Sequence, residues 1–164
     1  MDFFTVLNKR GSVRQFTDKP VPREMLEIIV NAARKAPTAN NIQPWEFIVI
    51  TQPEMLLAIA AHTDHGRFIQ DAPACIAVFC ADTKYYLEDG CAAVENILLA
   101  ATALHLGACW VAGDKKPYTE QIGALLQAPE KFRLVALIPL GYPVNAIEPR
   151  EKRPLNAVIH WEKF

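Results

Sequence analysis

Residues 91–113 read CAAVENILLAATALHLGACWVAG, and the reading of this stretch decides what kind of protein the chain makes. It is long enough to cross a bilayer. Glu95, Asn96 and His105 interrupt it, however, and a carboxylate near the centre of a span costs roughly 2.5–3.5 kcal/mol on insertion scales. No basic loops flank it to set an orientation. The stretch therefore reads as a fully buried helix, with Gly107 as the residue that ends it.

The segments around that helix predict its packing partners. Phe3, Phe4, Val6 and Leu7 predict a short helix closing near Arg10 and Gly11. A second helix takes Pro22 at its first position, carries Met25, Ile29, Ala32, Ala33 and Ala36 at helical spacing, and stops at Pro37. Apolar, β-branched runs predict strands over 45–50, 74–80 and 134–140, with a short one over 109–112. Further helices are expected over 55–61 and 119–127, and a short polar connection over 82–89. Long helices mixed with well-separated apolar strands predict an α+β or three-layer α/β/α domain. The tail, 143–164, is polar and then ends in Val158, Ile159, His160 and Trp161, a pattern suited to docking on a partner subunit.

Composition sets the outer bounds. The chain has 164 residues, with 17 Lys and Arg against 18 Asp and Glu and a formal charge of −1. One domain over 1–164 is expected at this length. The balanced charge argues against nucleic acid as a partner, and 51% apolar residues excludes a disordered chain. Cys75, Cys80, Cys91 and Cys109 form no C-x-x-C pair, so they read as reduced structural thiols of a cytoplasmic protein. The start, Met1-Asp2-Phe3-Phe4, lacks the basic-then-apolar order of a signal peptide.

Side-chain catalysis finds little support. There is no G-x-S-x-G or H-E-x-x-H, and Ser12 is the single serine. His62 and His65 read as a weak metal pair or as surface histidines at a helix end. Glu95 reads as an acid or base in the buried helix, or as a structural hydrogen-bonding group. No triad or carboxylate pair assembles, so a bound cofactor is the expected source of chemistry. Glycine-rich phosphate loops are missing as well. Arg10-Gly11-Ser12-Val13-Arg14 can grip an anion instead, because residues 10, 12 and 14 share one side of an extended segment; it also reads as a solvated basic turn. Residues 36–45, APTANNIQPW, offer amides and a hydroxyl to a polar ring edge, or ordinary turn chemistry.

Taken together, these segments resemble the nitroreductase family of flavin enzymes. The resemblance rests on Arg10-x-Ser12-x-Arg14, Pro20-Val21, Ala36-Pro37-Thr38, Asn41-x-Gln43-Pro44-Trp45-x-Phe47, the helix from Asp89 to Leu106, Gly107-Ala108-Cys109-Trp110, Leu140-Gly141-Tyr142-Pro143 and Lys152-Arg153-Pro154-Leu155. It spans nearly the whole chain in order. It implies a nitroreductase-like fold, with a mixed, mainly antiparallel sheet of four to five strands flanked by helices. It also implies FMN bound at the interface of a homodimer. Arg10 would grip phosphate, with Gly11 and Ser12 beside it, and Arg14 would face the pyrimidine edge, where a cation stabilises negative charge on reduced flavin. Pro37, Thr38, Asn41 and Gln43 would reach the flavin from the opposite subunit. The backbone N–H groups of Ala112 and Gly113 would face N5 and O4, and Lys152 and Arg153 would complete the phosphate clamp, with Arg150 a lesser candidate.

The activity implied is an FMN-dependent oxidoreductase. NAD(P)H would reduce the flavin by hydride transfer to N5, then leave, and a nitroaromatic or quinone acceptor would follow in ping-pong order. The alternatives are a specialised ene-reductase or dehalogenase-like relative, or a non-catalytic FMN-binding protein. The chain departs from the family pattern at several places. Gly11 replaces a second basic residue, Thr38 a serine, and Ala112 a glutamate. The 82–89 connection is short, which would leave the pocket open to flat acceptors, with Tyr85 and Tyr86 as a stacking wall or a surface pair. His65 and Phe68 fall near pyrimidine-contacting positions, but the match is poor and they stand outside the candidate set.

Overall fold

The computed structural model describes all residues, 1–164. In chain order the helices are α1 (Phe3–Lys9), α2 (Arg23–Ala33), α3 (Pro53–His62), α4 (Tyr86–Ala103) and α5 (Thr119–Leu125). The strands are β1 (Trp45–Ile50), β2 (Ala74–Ala81), β3 (Gly107–Ala108), β4 (Val111–Ala112) and β5 (Phe132–Gly141). Single 3₁₀ turns form at Ala39–Asn41, Arg67–Asp71 and Leu155–Ala157.

The sheet runs β1-β2-β5-β3, with β4 also on β5. Every strand pair is antiparallel. The parallel element is one bridge, Ser12 to Ala108, and it brings the N-terminal segment onto the sheet. β2 and β5 lie in the middle and are buried along almost their whole length, which is why they read as continuous apolar runs rather than alternating ones.

Two apolar layers cover the two faces. Ile76, Val78, Ala136 and Ile138 pack against Leu26 and Ile29 of α2 and Val94 and Ile97 of α4. Residues of opposite parity, Cys75, Ala77 and Leu137, pack against Leu56 and Ile59 of α3 and Ile122 of α5. The period of two in a strand sends neighbours to opposite faces, and this builds the α/β/α sandwich. Asn96 on α4 donates its side-chain amide to the Ala32 carbonyl at 3.0 Å, tying α4 to α2.

Several boundaries differ from the sequence reading. Pro22 is the N-cap of α2 rather than its first helical residue. α4 starts at Tyr86, so the polar connection is shorter than 82–89. It ends at Ala103, and the left-handed residue beyond it is His105 (φ 61°), not Gly107. Gly107 serves close approach instead, because a Cβ there would sit 2.5 Å from Val13 Cγ2. Of the expected 109–112 strand only Val111–Ala112 is strand, and a second short strand, Gly107–Ala108, precedes Cys109 and Trp110. No helix is long and apolar enough to cross a membrane. All four cysteines are free, three of them buried and Cys91 half-buried. Burial pushes the thiols of Cys75 and Cys80 up to about 12, which makes them poor nucleophiles.

Candidate functional site

α1 stops at Arg10, its C-cap, where the backbone turns extended. The chain then runs between two neighbours. Val13 donates its N–H to Ala108 O at 3.0 Å on one side, and on the other Thr17 donates to Tyr142 O at 2.9 Å and Val144 to Gln15 O at 3.2 Å. These bonds hold the segment straight, so Arg10, Ser12 and Arg14 open into one groove of about 940 Å³. The residues after β5 form its other wall and add Arg150 and Lys152, with Glu148 the one carboxylate. Four cations facing one anion is a donor set for a phosphate. Gly11 has a steric role here: a Cβ would come within 2.8 Å of Ile147 Cγ2, so the bare glycine lets this wall close in.

Arg10 Nε lies 3.9 Å from Glu95 Oε1 on α4. Glu95 is thus neither a buried acid nor a core hydrogen-bonding group; it is the half-exposed partner of Arg10. Arg153 departs from the expected clamp. Its guanidinium donates to Ala157 O at 2.6 Å inside the tail's own turn, and it is Arg150 that lines the groove.

A smaller cleft of about 170 Å³ adjoins the groove and shares Arg14. Its walls are Phe68, Trp110, Val111 and Tyr118, with His65 and Lys116 as polar side chains and Cys109 and Ala112 between them. The Arg14 guanidinium carbon lies 5.8 Å from the Phe68 ring centroid, a cation–π distance. Burial raises the Cys109 thiol in the same cleft, while Arg14 and Ser12 act against that shift.

The sheet register separates Ala112 from Gly113. Val111 faces Leu137 and Ala112 faces Ala136, while the N–H groups of Cys109 and Gly113 donate to Pro139 O and Val135 O at 3.2 and 3.0 Å. Bonded residues alternate in an antiparallel ladder. Val111 therefore belongs to the bonded set, and the N–H of exposed Ala112 turns away from β5. The expectation that both amides are free to face a ligand does not hold for Gly113, whose N–H is already used in the sheet.

Pro37, Thr38, Asn41 and Gln43 line neither the groove nor the cleft. Their loop is nevertheless tightly built. Asn40, Asn41 and Gln43 have φ of 54°, 55° and 54°, a region Asn tolerates and Gln adopts at a cost of about 1–3 kcal/mol. Gln43 N–H donates to Thr38 Oγ1 at 3.1 Å, Gln43 Nε2 to Asn41 Oδ1 at 3.2 Å, and Ala39 N–H to Asp89 Oδ1 at 3.1 Å. Backbone strain held in this way concentrates at functional sites.

Other readings resolve in place. α3 ends at His62, so His62 and His65 share no helical face, and no cluster of three metal-ligating side chains exists. Tyr86 donates to Asp114 Oδ1 at 2.7 Å, with Arg133 packed 5.8 Å from its ring centroid, and Tyr85 stands exposed beside Lys84. Neither tyrosine lines the cleft. The residues that sequence reasoning left out are His65, Phe68, Trp110, Lys116 and Tyr118. They come from three separate segments with no local spacing to link them.

Comparison with known proteins bears on the family and the fold. The family model described as "Nitroreductase family" matches residues 7–72 and 66–142. A Methanothermobacter thermautotrophicus protein, provisionally named NADH dehydrogenase/NAD(P)H nitroreductase, is 36% identical over 100% of this chain and 88% of its own. A similarly named Archaeoglobus fulgidus protein is 38% identical over 82% of this chain and 81% of its own. Among solved structures, an FMN-dependent nitroreductase from Clostridium difficile R20291 superposes with a TM-score of 0.92 at 27% identity, over 98% of this chain and 99% of that one. With the family model spanning residues 7–142 and a relative 36% identical over the whole chain, the chain belongs to the nitroreductase family.

Proposed function

We propose that this protein is an FMN-dependent oxidoreductase that takes reducing equivalents from NAD(P)H and passes them to small aromatic acceptors of the nitro or quinone type. The observation that carries this reading is Arg14, which lies on both the cation-lined groove and the aromatic cleft. The two cavities match the two ends of FMN, a phosphate at one and a flat ring with a polar edge at the other. Arg10, Arg150 and Lys152 would hold the phosphate, and Ser12 would donate beside them. Arg14 would stand at the ring's pyrimidine edge, Phe68 holding its guanidinium in place. The outward N–H of Ala112 would donate to the ring's polar edge.

When bound, FMN supplies the hydride-accepting and hydride-donating centre that no side chain of this protein provides. The chain's own residues bind, orient and tune. A fixed cation and a fixed N–H beside the ring favour the electron-rich form by preorganised electrostatics.

The functional unit is a homodimer, with each chain one domain. Phe3 and Phe4 on α1 are 61% and 73% exposed, and Trp161 in the tail is 76% exposed. Apolar exposure of this kind marks a protein interface. The strained 37–43 loop, which does not line the groove of its own chain, would complete the site of the partner. Free, buried thiols fit a reducing compartment, the cytoplasm.

The test is purified protein titrated with FMN and then with NADH or NADPH without oxygen. Uptake of the yellow cofactor and its bleaching by a nicotinamide are expected, with colour restored by a nitroaromatic or quinone. A chain that takes up no FMN would refute the reading. Restoration by halogenated phenols or activated alkenes alone would move it to a dehalogenase or ene-reductase. Sedimentation of a chain truncated after Pro143 tests the tail, and dimers that survive with normal FMN uptake would remove the tail's role.

A further inference from the structure

The outward amide of Ala112 sits on a strand of only two residues, one of which lies in the hydrogen-bonded set of the ladder. Such a strand has little hold on its own orientation. Two hydroxyls from the start of α5 supply the missing hold. The Tyr118 hydroxyl donates to the Ala112 carbonyl. The Thr119 hydroxyl lies 2.6 Å from the Gly113 carbonyl and 2.7 Å from that of Lys116, bridging the two ends of the turn.

We propose that Tyr118 and Thr119 are positioning residues, which clamp the Ala112–Gly113 backbone so that the Ala112 N–H is aimed at the bound ring. The proposal rests on the FMN reading of the site.

The physical reason is the planarity of the peptide unit. The unit between Ala112 and Gly113 is held at its oxygen by Tyr118 and at its N–H by Val135 O, 3.0 Å away. Holding both ends fixes the plane. The preceding unit, which carries the Ala112 N–H, is bounded on its other side by the Val111 to Leu137 pairing. Rotation of the Ala112 amide is thereby confined from both directions. Tyr118 is itself only 5% exposed and packs with Ile122, Leu134 and Leu137, so the hydroxyl is delivered from a rigid body. Preorganised donors of this kind act because they need no reorganisation when charge develops. Tyr118 also lines the cleft, which places the support directly behind the surface that the ring would meet.

Phenylalanine at 118 keeps the ring and removes the hydroxyl alone, and valine at 119 does the same for threonine. Uniformly ¹⁵N-labelled wild type, Tyr118→Phe, Thr119→Val and Thr119→Ser are titrated with FMN. The readouts are the Ala112 amide resonance, the dissociation constant and the midpoint potential of the bound flavin, with melting of the apoprotein as control. FMN is expected to shift the Ala112 amide strongly in the wild type and in Thr119→Ser. In Tyr118→Phe and Thr119→Val that shift shrinks, affinity falls about three- to tenfold, the scale of one hydrogen bond, and the potential moves to more negative values. Equal amide shifts, affinities and potentials in all four proteins would overturn the proposal while leaving the FMN reading intact. Failure of the wild type to bind FMN would overturn both. Should Tyr118→Phe not fold, the contrast between valine and serine at 119 decides the outcome alone.

Discussion

Val13 donates its N–H to the carbonyl of Ala108 at 3.0 Å, and its side chain fills the space where a Cβ of the adjacent Gly107 would stand. This single contact couples the Arg10–Arg14 segment to the sheet. Gly107→Ala would place a carbon 2.5 Å from Val13 Cγ2, and overpacking of this kind costs about 1–3 kcal/mol. The expected result is a lower melting temperature together with weaker FMN binding, since the arginines shift with Val13. Adding Val13→Gly, which removes the Cβ at 2.6 Å along with both methyls, should recover part of both. An unchanged melt and affinity in Gly107→Ala would contradict the coupling.

The cations that line the groove and the one turned into the tail should not be equivalent. Arg10→Gln and Lys152→Gln each remove a charge that lines it, and a charge-assisted hydrogen bond is worth about 1.5–3 kcal/mol. FMN affinity should fall roughly ten- to hundredfold in each. Arg153→Gln should change it less than about threefold, because that guanidinium is turned to Ala157 O. Fluorescence quenching of FMN reads all three. A larger loss at Arg153 than at Lys152 would show that the tail rearranges on binding.

Asp89 holds the strained loop from the buried end of α4, accepting the Ala39 N–H at 3.1 Å while only 6% exposed. Asp89→Ala leaves that N–H without its acceptor, a loss of about 1–3 kcal/mol. Asp89→Asn keeps an oxygen in reach. Limited proteolysis should cut Asp89→Ala faster between residues 37 and 43, with Asp89→Asn close to the wild type. Equal cutting of both variants would remove Asp89 from this role.

The hydrogen bond from Tyr86 to Asp114 pushes the phenol up to about 12 from its ordinary 10. The folded value lies above the unfolded one, so the neutral phenol is favoured by folding. Its contribution to stability is fully present below about 10 and is lost as the pH rises towards 12. The stability difference between wild type and Tyr86→Phe should therefore narrow over that interval. A difference that stays constant through it would show that the Asp114 contact has no hold on the phenol.

Much of the fold could be read from short stretches. β2 and β5 announce themselves as unbroken apolar runs because both faces of a central strand are covered, and Trp45–Ile50 emerges with its observed bounds. The end of α4 could not be read this way. Gly107 has the look of a helix stop, yet its reason for being glycine is Val13, which lies far away in sequence.

The sequence by itself determined the element types, the membership of the core and the motifs that mark the family, because periodicity and local residue chemistry are properties of neighbours in the chain. Tertiary structure alone decided which groups meet. Arg10 and Arg14 join Arg150 and Lys152 only when the segment after β5 folds back along residues 12–17. His65, Phe68, Trp110 and Tyr118 meet only across the sheet's edge. Ala112 and Gly113, adjacent and alike in sequence, part company through their register against β5. Register is a relation between two strands, and no local spacing encodes which of two consecutive amides will face outwards.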